Sequence, residues 1–357
     1  MIRVAINGYG RIGRVAHRII LNKYPLDIEV VAINVGSSTD LEGWMYLLKY
    51  DSVYGQLSSD INLSFTNASV DSSNIQQPKD THELLGTLNI NGKDISVYSQ
   101  RDISQLPWKN LNVDVVIEAT GSLLKKEQIA QHVVAGAKKV VLSAPTNDEI
   151  STYIISVNNQ DYKNENIISN ASCTTNCIAP VTKVLMDAFG VEKGMMTTVH
   201  AYTSDQRLLD GGHKDYRRAR SAGINIVPTS TGATKAVTKA FSVLEGKFTG
   251  LSIRVPVSTG SLSDCTYILG KSVTVSEVNK LFEDASRTPN YKGILGVTRD
   301  PLVSSDIIGN SHSAIIDLSL TQVVDGNMLK VISWYDNEFA YANRLVEQLL
   351  LLGEEKK

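Results

Sequence analysis

Apolar and polar positions change period several times along this chain, and each change marks an element. Ile2, Val4, Ala5 and Ile6 form a near-continuous apolar run, the pattern of a strand buried on both faces. The run breaks at Asn7-Gly8, and Val15, Ile19, Ile20 and Leu21 then recur at helical spacing. A second buried strand is expected at Glu29–Asn34, followed by a helix over Leu41–Tyr50 with Asp40 as its N-cap. Leu88–Ile90 and Ile95–Val97 flank Asn91-Gly92, which predicts a hairpin closed by a type I′ turn. Residues 57–87 are polar and irregular and predict surface excursions. Val113–Ile117 and Lys138–Leu142 read as further strands, ending at Glu118-Ala119-Thr120-Gly121 and at Ser143-Ala144-Pro145. Strands alternating with helices indicate an α/β domain with a parallel sheet.

Beyond residue 168 the pattern changes. The small polar residues of Ser169–Cys173 give way to Ile178, Val181, Val184, Leu185 and Ala188. This predicts a helix starting at or near Cys173 and ending on Gly190 as its C′ residue. Met195–Val199 reads as a strand running into His200. Ser204–Ser230 has little periodicity. Thr234–Phe241 is an expected helix, and Leu251–Pro256 a strand with one charge, Arg254, among apolar residues. Trp334–Phe339 is expected to open an amphipathic helix through Leu345, Val346, Leu349 and Leu350, stopped by Gly353 and packed back on the first domain.

Length and charge narrow the possibilities. A chain of 357 residues accommodates two domains. With 42% hydrophobic and 20% charged residues it has a globular composition. A net charge of -2 gives no basic field for nucleic acid or an anionic membrane. There is no apolar stretch of roughly 18 residues and no signal-peptide pattern. Three cysteines cannot all pair, which points to a reducing compartment, the cytoplasm.

Two sets of residues carry chemistry. The first is Gly8-Tyr9-Gly10-Arg11-Ile12-Gly13, a G-x-G-x-x-G between a strand and a helix. Gly8 permits the tight turn, Gly10 lets backbone approach a pyrophosphate, and Gly13 lets helix pack on strand. The acidic residue expected after the second strand to bind ribose hydroxyls is absent: the chain reads Asn34-Val35-Gly36-Ser37-Ser38. Without a carboxylate a 2′-phosphate is not repelled, which points to NADP; Asp40 is assigned to the helix cap instead.

The second set centres on Cys173. At a helix N-terminus the macrodipole and free N–H groups favour a thiolate. A buried, inert cysteine is the ordinary alternative, and Cys177, one turn deeper, is read as core. A metal site is not expected, because only Cys265 remains as a third thiol. His200, although a strand-end histidine is commonly structural, completes a nucleophile–base pair. Pro228–Ala233 at a helix start offers an anion site, and a buried Arg254 needs an anionic partner. The basic run His213–Arg220 is read as a solvated face or a subunit contact.

The motifs INGYGRIGR (6–14), LLKYDSVYG (47–55), EATG (118–121), SNASCTTNCIAP (169–180), TTVHAYT (197–203), HKDYRRAR (213–220), NIVPTSTGATKAV (225–237) and WYDNE (334–338) together resemble the phosphorylating glyceraldehyde-3-phosphate dehydrogenases. The resemblance covers residues 2 to about 350. It implies an α/β protein: an N-terminal Rossmann dinucleotide-binding domain, 1–172, completed by a C-terminal helix, 336–357. An α+β catalytic and oligomerisation domain with a mixed or antiparallel sheet, 173–335, would complete it. It implies oxidation and phosphorylation of glyceraldehyde 3-phosphate with inorganic phosphate and NAD or NADP, in a cytoplasmic homotetramer of glycolysis and gluconeogenesis.

Carried over by motif, Cys173 is the nucleophile and His200 its acid/base. Thr203 and Arg254 would bind the substrate phosphate, and Ser172, Thr174, Thr231 and Gly232 the attacking phosphate. Gly8, Gly10, Arg11, Ile12, Gly13, Asn34, Val35, Arg101, Thr120, Gly121, Ser143 and Asn337 would surround the dinucleotide, with Asn337 on the nicotinamide amide. NAD-specific members carry Asp where this chain has Val35, and many have Leu-Pro where it has Gly211-Gly212; both departures favour NADP or dual use. Ser258–Ser263 departs from a usual Pro-Asn-Val pattern, and Phe339 replaces a usual Trp. An erythrose-4-phosphate dehydrogenase and a non-catalytic scaffold are the alternatives; His-Ala-Tyr-Thr and Thr231-Gly232 argue against the first, and the intact Cys173, His200 and Arg254, with no basic net charge, against the second.

Overall fold

The structure is a computed structural model that describes residues 1–68 and 83–353. Part of the polar stretch expected as a surface excursion (69–82) and the last residues of the expected C-terminal segment (354–357) lie outside the described residues. The chain divides into two compact units. One holds Met1–Ser151, Lys163–Asn170 and Leu345–Lys357; the other holds Thr152–Tyr162 and Ala171–Arg344. Segment 152–162 therefore groups with the second unit, and the C-terminal helix changes unit at Leu345, where the motifs suggested 336.

In the first unit Ile2–Asn7 is the central strand, flanked in parallel by Ile28–Asn34 and Val115–Glu118. Lys139–Leu142 and Ile167–Ser169 extend the sheet on one side, also in parallel, and Lys93–Ser99 extends it on the other. The apolar runs are buried because both faces are covered, as the absence of alternation implied. The helix Arg11–Lys23 follows the first strand, and Asp40 caps Leu41–Lys49 by accepting from Gly43 N. The hairpin turn has Asn91 at φ 52° and Gly92 at φ 81°, both left-handed as a type I′ turn requires.

Residues 57–87 need a correction. Leu63–Asn67 and Glu83–Ile90 are antiparallel strands that extend the sheet beyond Lys93–Ser99. Leu63 and Phe65 pair with Ile90 and Leu88, a short alternation that the polar surroundings obscured.

In the second unit a mixed sheet is built on Val191–Ala201. It pairs in parallel with Phe248–Val255 and antiparallel with Ser261–Leu269, which pairs in turn with Met328–Tyr335. The helices Cys173–Phe189, Ala233–Ala240 and Val275–Ser286 contribute Ile178, Val181, Val237, Val278 and Phe282 to one core with Met196, Tyr267, Leu329 and Val331 of the sheet. Trp334 and Tyr335 end a strand and do not open the final helix. Asp336 Oδ1 accepts from the N–H groups of Glu338 and Phe339, so the helix starts at Phe339. Among the described residues, no helix is long and apolar enough to cross a membrane.

Candidate active site

The position of Cys173 follows from the helix N-cap. Ser172 has extended backbone and its Oγ accepts from Thr175 N at 3.1 Å, so Cys173 is the first helical residue. The helix ends at Gly190, φ 71°. Ala171, fully buried, has φ 57°, a conformation disfavoured for a residue with a Cβ; its carbonyl accepts from Tyr341 Oη at 3.0 Å. That strained backbone sets the angle at which the chain enters the helix, and nothing in the local sequence announced it.

Cys173 Sγ lies 3.4 Å from His200 Nε2. His200 Nδ1 lies 2.6 Å from the Ala201 carbonyl. A carbonyl only accepts, so Nδ1 carries the proton and Nε2 of a neutral ring is the acceptor facing the sulfur. Tyr335 packs edge-on against the imidazole at 6.0 Å.

Burial acts against the expected thiolate and the neighbouring charge acts for it. Burial pushes the Cys173 thiol above its ordinary value, opposed by the Arg254 guanidinium and hydrogen bonds from Thr174. Burial, then Arg254, push His200 down to about 3. Burial thus acts toward the uncharged form of each partner, and Nε2 is the ring atom that faces the sulfur. Cys173 as a residue is only partly covered. Cys177 and Cys265 are fully buried and their thiols are pushed up further, as core positions require.

Arg254 stands beside His200 in register on the adjacent strand. Its Nη1 donates to Ala201 O at 3.3 Å and Thr203 Oγ1 at 3.2 Å. Its Nε is buried without a partner, and burial pulls its pKa down. A guanidinium so placed, joined to a threonine hydroxyl, is built for an oxyanion. Thr174 Oγ1 is 2.8 Å from Tyr335 Oη, which is 2.8 Å from Thr198 Oγ1. Thr231 Oγ1 accepts from Ala233 N, and Gly232 opens the helix Ala233–Ala240 with space where a Cβ would stand.

Arg218 is the residue the sequence missed. It lies in the run read as a solvated face, yet its charge helps depress both His200 and Arg254. Its guanidinium pairs with Asp205 and donates to Thr229 Oγ1 at 2.9 Å and Ser230 O at 3.0 Å. The three arginines of His213–Arg220 look alike in sequence, and only these contacts separate Arg218 from the others.

Within the first unit the glycines differ. Gly8 has φ +94°, and a Cβ there would lie 2.5 Å from Thr120 N. A Cβ on Gly13 would lie 2.2 Å from Gly8 O. At Gly10 a Cβ would meet nothing within 4 Å. The turn is thus closed on the protein side and open at Gly10, a cradle that fits a pyrophosphate at the start of the helix Arg11–Lys23. Arg11 is ion-paired with Asp51 and Ile12 is half-buried beside it. Asn34 gives its side chain to the fold, bonding Asn7 and Gln100 at 2.7–3.0 Å. Val35 is half-buried, Ser37 and Arg101 are exposed, and Ser143 N donates to Glu118 O. Gly121 has φ +69° in the turn after Thr120. In the second unit, Asn337 Oδ1 accepts from Gly260 N at 3.2 Å and Ser261 Oγ at 2.9 Å, which fixes Nδ2 as the donor end of the amide.

The chain matches the glyceraldehyde 3-phosphate dehydrogenase C-terminal domain over residues 172–337, and the NAD binding domain of the same name over 2–84 and 70–126. It is 48% identical to a glyceraldehyde-3-phosphate dehydrogenase of Priestia megaterium over 97% of this chain and 96% of that one. It is 47% identical to that of Geobacillus stearothermophilus over the same shares, and 45% identical to glyceraldehyde-3-phosphate dehydrogenase 2 of Streptomyces avermitilis over 99% of both.

Proposed function

From the premise that this chain belongs to the glyceraldehyde-3-phosphate dehydrogenase family and is an NAD(P)-dependent oxidoreductase of that activity, we propose that Cys173 and His200 carry its chemistry. The observation that carries this reading is the 3.4 Å approach of Sγ to the unprotonated Nε2. As Sγ bonds to the aldehyde carbon, its proton passes to His200, which returns it to the new hydroxyl of the thiohemiacetal. His200 then takes that hydroxyl proton as hydride leaves the carbon. The bound dinucleotide supplies the hydride acceptor. The product is a thioester on Cys173; inorganic phosphate attacks it, expels the sulfur and leaves as the acyl phosphate.

The chemistry needs two anion sites. Arg254 with Thr203 suits the substrate's own phosphate, and Arg218 adds positive potential. Ser172, Thr174, Thr231 and Gly232 are assigned to the attacking phosphate. Gly8, Gly10, Arg11, Ile12, Gly13, Thr120, Gly121 and Ser143 would hold the dinucleotide, with Asn337 Nδ2 on its amide. NADP is used at least as well as NAD in this reading: Val35 brings no carboxylate, while Ser37 and Arg101 are exposed and polar. A homotetramer is supported by the sheet's outer face, where Met195, Leu251 and Met328 are exposed; the cytoplasm suits the free thiols. Steady-state rates with and without phosphate, with each cofactor, test this reading. Loss of turnover on omitting phosphate is expected, and equal turnover without it contradicts it.

A further inference from the structure

We propose that Glu118 is the positioning residue of the dinucleotide-binding edge, a role that rests on the cofactor reading above. Glu118 ends the strand Val115–Glu118 and is fully buried, so it acts through its neighbours. Its carboxylate takes four donors. Oε2 accepts from Asn7 Nδ2 at 2.5 Å and from His132 Nε2 at 3.1 Å. Oε1 accepts from Thr120 N at 2.9 Å and from the Thr120 hydroxyl. A buried carboxylate is tolerated only when satisfied in this way.

The bonds fix the orientation of every group. Trp108 Nε1 can only donate, and it donates to His132 Nδ1 at 3.0 Å. His132 therefore carries its proton on Nε2 and donates it to Glu118. On the other side, Asn7 Nδ2 is committed to Glu118, so its Oδ1 accepts from Asn34 Nδ2 at 2.7 Å. Asn34 Oδ1 in turn accepts from Gln100 N at 3.0 Å. One chain of hydrogen bonds thus crosses the carboxyl ends of four neighbouring parallel strands, Val115–Glu118, Ile2–Asn7, Ile28–Asn34 and Lys93–Ser99.

Those ends lead into the turns assigned to the dinucleotide. There is no slack between them: a Cβ on Gly8 would lie 2.5 Å from Thr120 N. A shift of Thr120 therefore shifts the glycine turn. Gln at position 118 keeps the size but turns an NH₂ toward one of the two donor pairs, leaving donors facing a donor.

The test is Glu118→Gln, read by fluorescence titration with NADH and NADPH, by steady-state kinetics and by the Trp108 indole N–H resonance. The expected result is a rise in dinucleotide Kd and KM of about tenfold or more. Saturating kcat should stay within about twofold, because the chemistry of the reacting carbon is not touched. The Trp108 resonance, identified by its loss in Trp108→Phe, should move, and alkylation of Cys173 without cofactor should keep its wild-type rate. Should Glu118→Gln not fold, His132→Gln, which keeps an acceptor and a donor, should retain affinity that His132→Leu loses. Wild-type affinity in Glu118→Gln, or in His132→Leu, overturns the proposal, as does a parallel fall in affinity, kcat and Cys173 alkylation. A wild-type protein that binds neither dinucleotide overturns the cofactor reading itself, and the role of Glu118 with it.

Discussion

Cys173 Sγ faces His200 Nε2 at 3.4 Å, and the Ala201 carbonyl holds the ring's only proton on the opposite nitrogen. The imidazole is therefore preset in the tautomer that can accept from sulfur. His200→Asn should lower kcat by about 10²–10⁴-fold, the usual worth of a placed general base. Steady-state kinetics with saturating substrates checks this, and a loss under about fivefold goes against it.

The three thiols should separate cleanly. Cys173→Ser should abolish turnover while dinucleotide binding persists. Cys177→Ser should retain substantial activity, since Cys177 is fully buried in the core. Peptide mapping after iodoacetamide inactivation should find the label on Cys173; a label on Cys177 alone contradicts the assignment.

Acid sensitivity follows from two buried histidines. Burial pushes His17 and His200 each down to about 3 in the folded protein, against about 6.5 when unfolded. The unfolded chain binds the extra protons between these values, so stability present above pH 6.5 is lost as pH falls towards 3. Each histidine contributes a slope of about 1.4 kcal/mol per pH unit inside that window. Urea unfolding at pH 7 and pH 5 measures it, and His17→Phe should flatten the dependence. A stability that does not fall between those pH values contradicts the burial argument.

Gly10 and Gly13 should fail differently. Gly13→Ala drives a Cβ to 2.2 Å from Gly8 O and should lower the melting temperature as well as affinity. Gly10→Ala meets no protein atom within 4 Å, so it should melt near wild type and lose dinucleotide affinity. Thermal unfolding alongside a cofactor titration distinguishes the two.

The contrast between these glycines shows how far the sequence reached. Gly8 and Gly13 were legible because strand, turn and helix are all local, and the Asp40 cap and the Asn91-Gly92 turn were legible for the same reason. Leu63–Asn67 was missed because its alternation is short and its partner strand lies outside its own window. Trp334 and Tyr335 were drawn into the final helix because an apolar run fits either period, and only the capping by Asp336 shows where the helix begins. The shifts at Cys173 and His200 and the contacts of Arg218 depend on burial and on charges brought together by the sheet, which residue spacing does not encode.

In the proposed reading, cofactor choice turns on Val35. Val35→Asp should shift kcat/KM towards NAD by about 1–3 kcal/mol, through a ribose hydrogen bond and repulsion of the 2′-phosphate. A wild-type preference for NAD of about 100-fold would sink the NADP reading.

The most direct test of the central claim is a rapid-mixing experiment with glyceraldehyde 3-phosphate and cofactor but no phosphate. If Cys173 holds the acyl group, reduced cofactor should appear in a burst approaching one equivalent per chain and then stall, with the acyl group found on Cys173 by mass spectrometry; added phosphate should restart turnover. Sustained turnover without phosphate, or an undiminished burst in Cys173→Ser, would contradict the account.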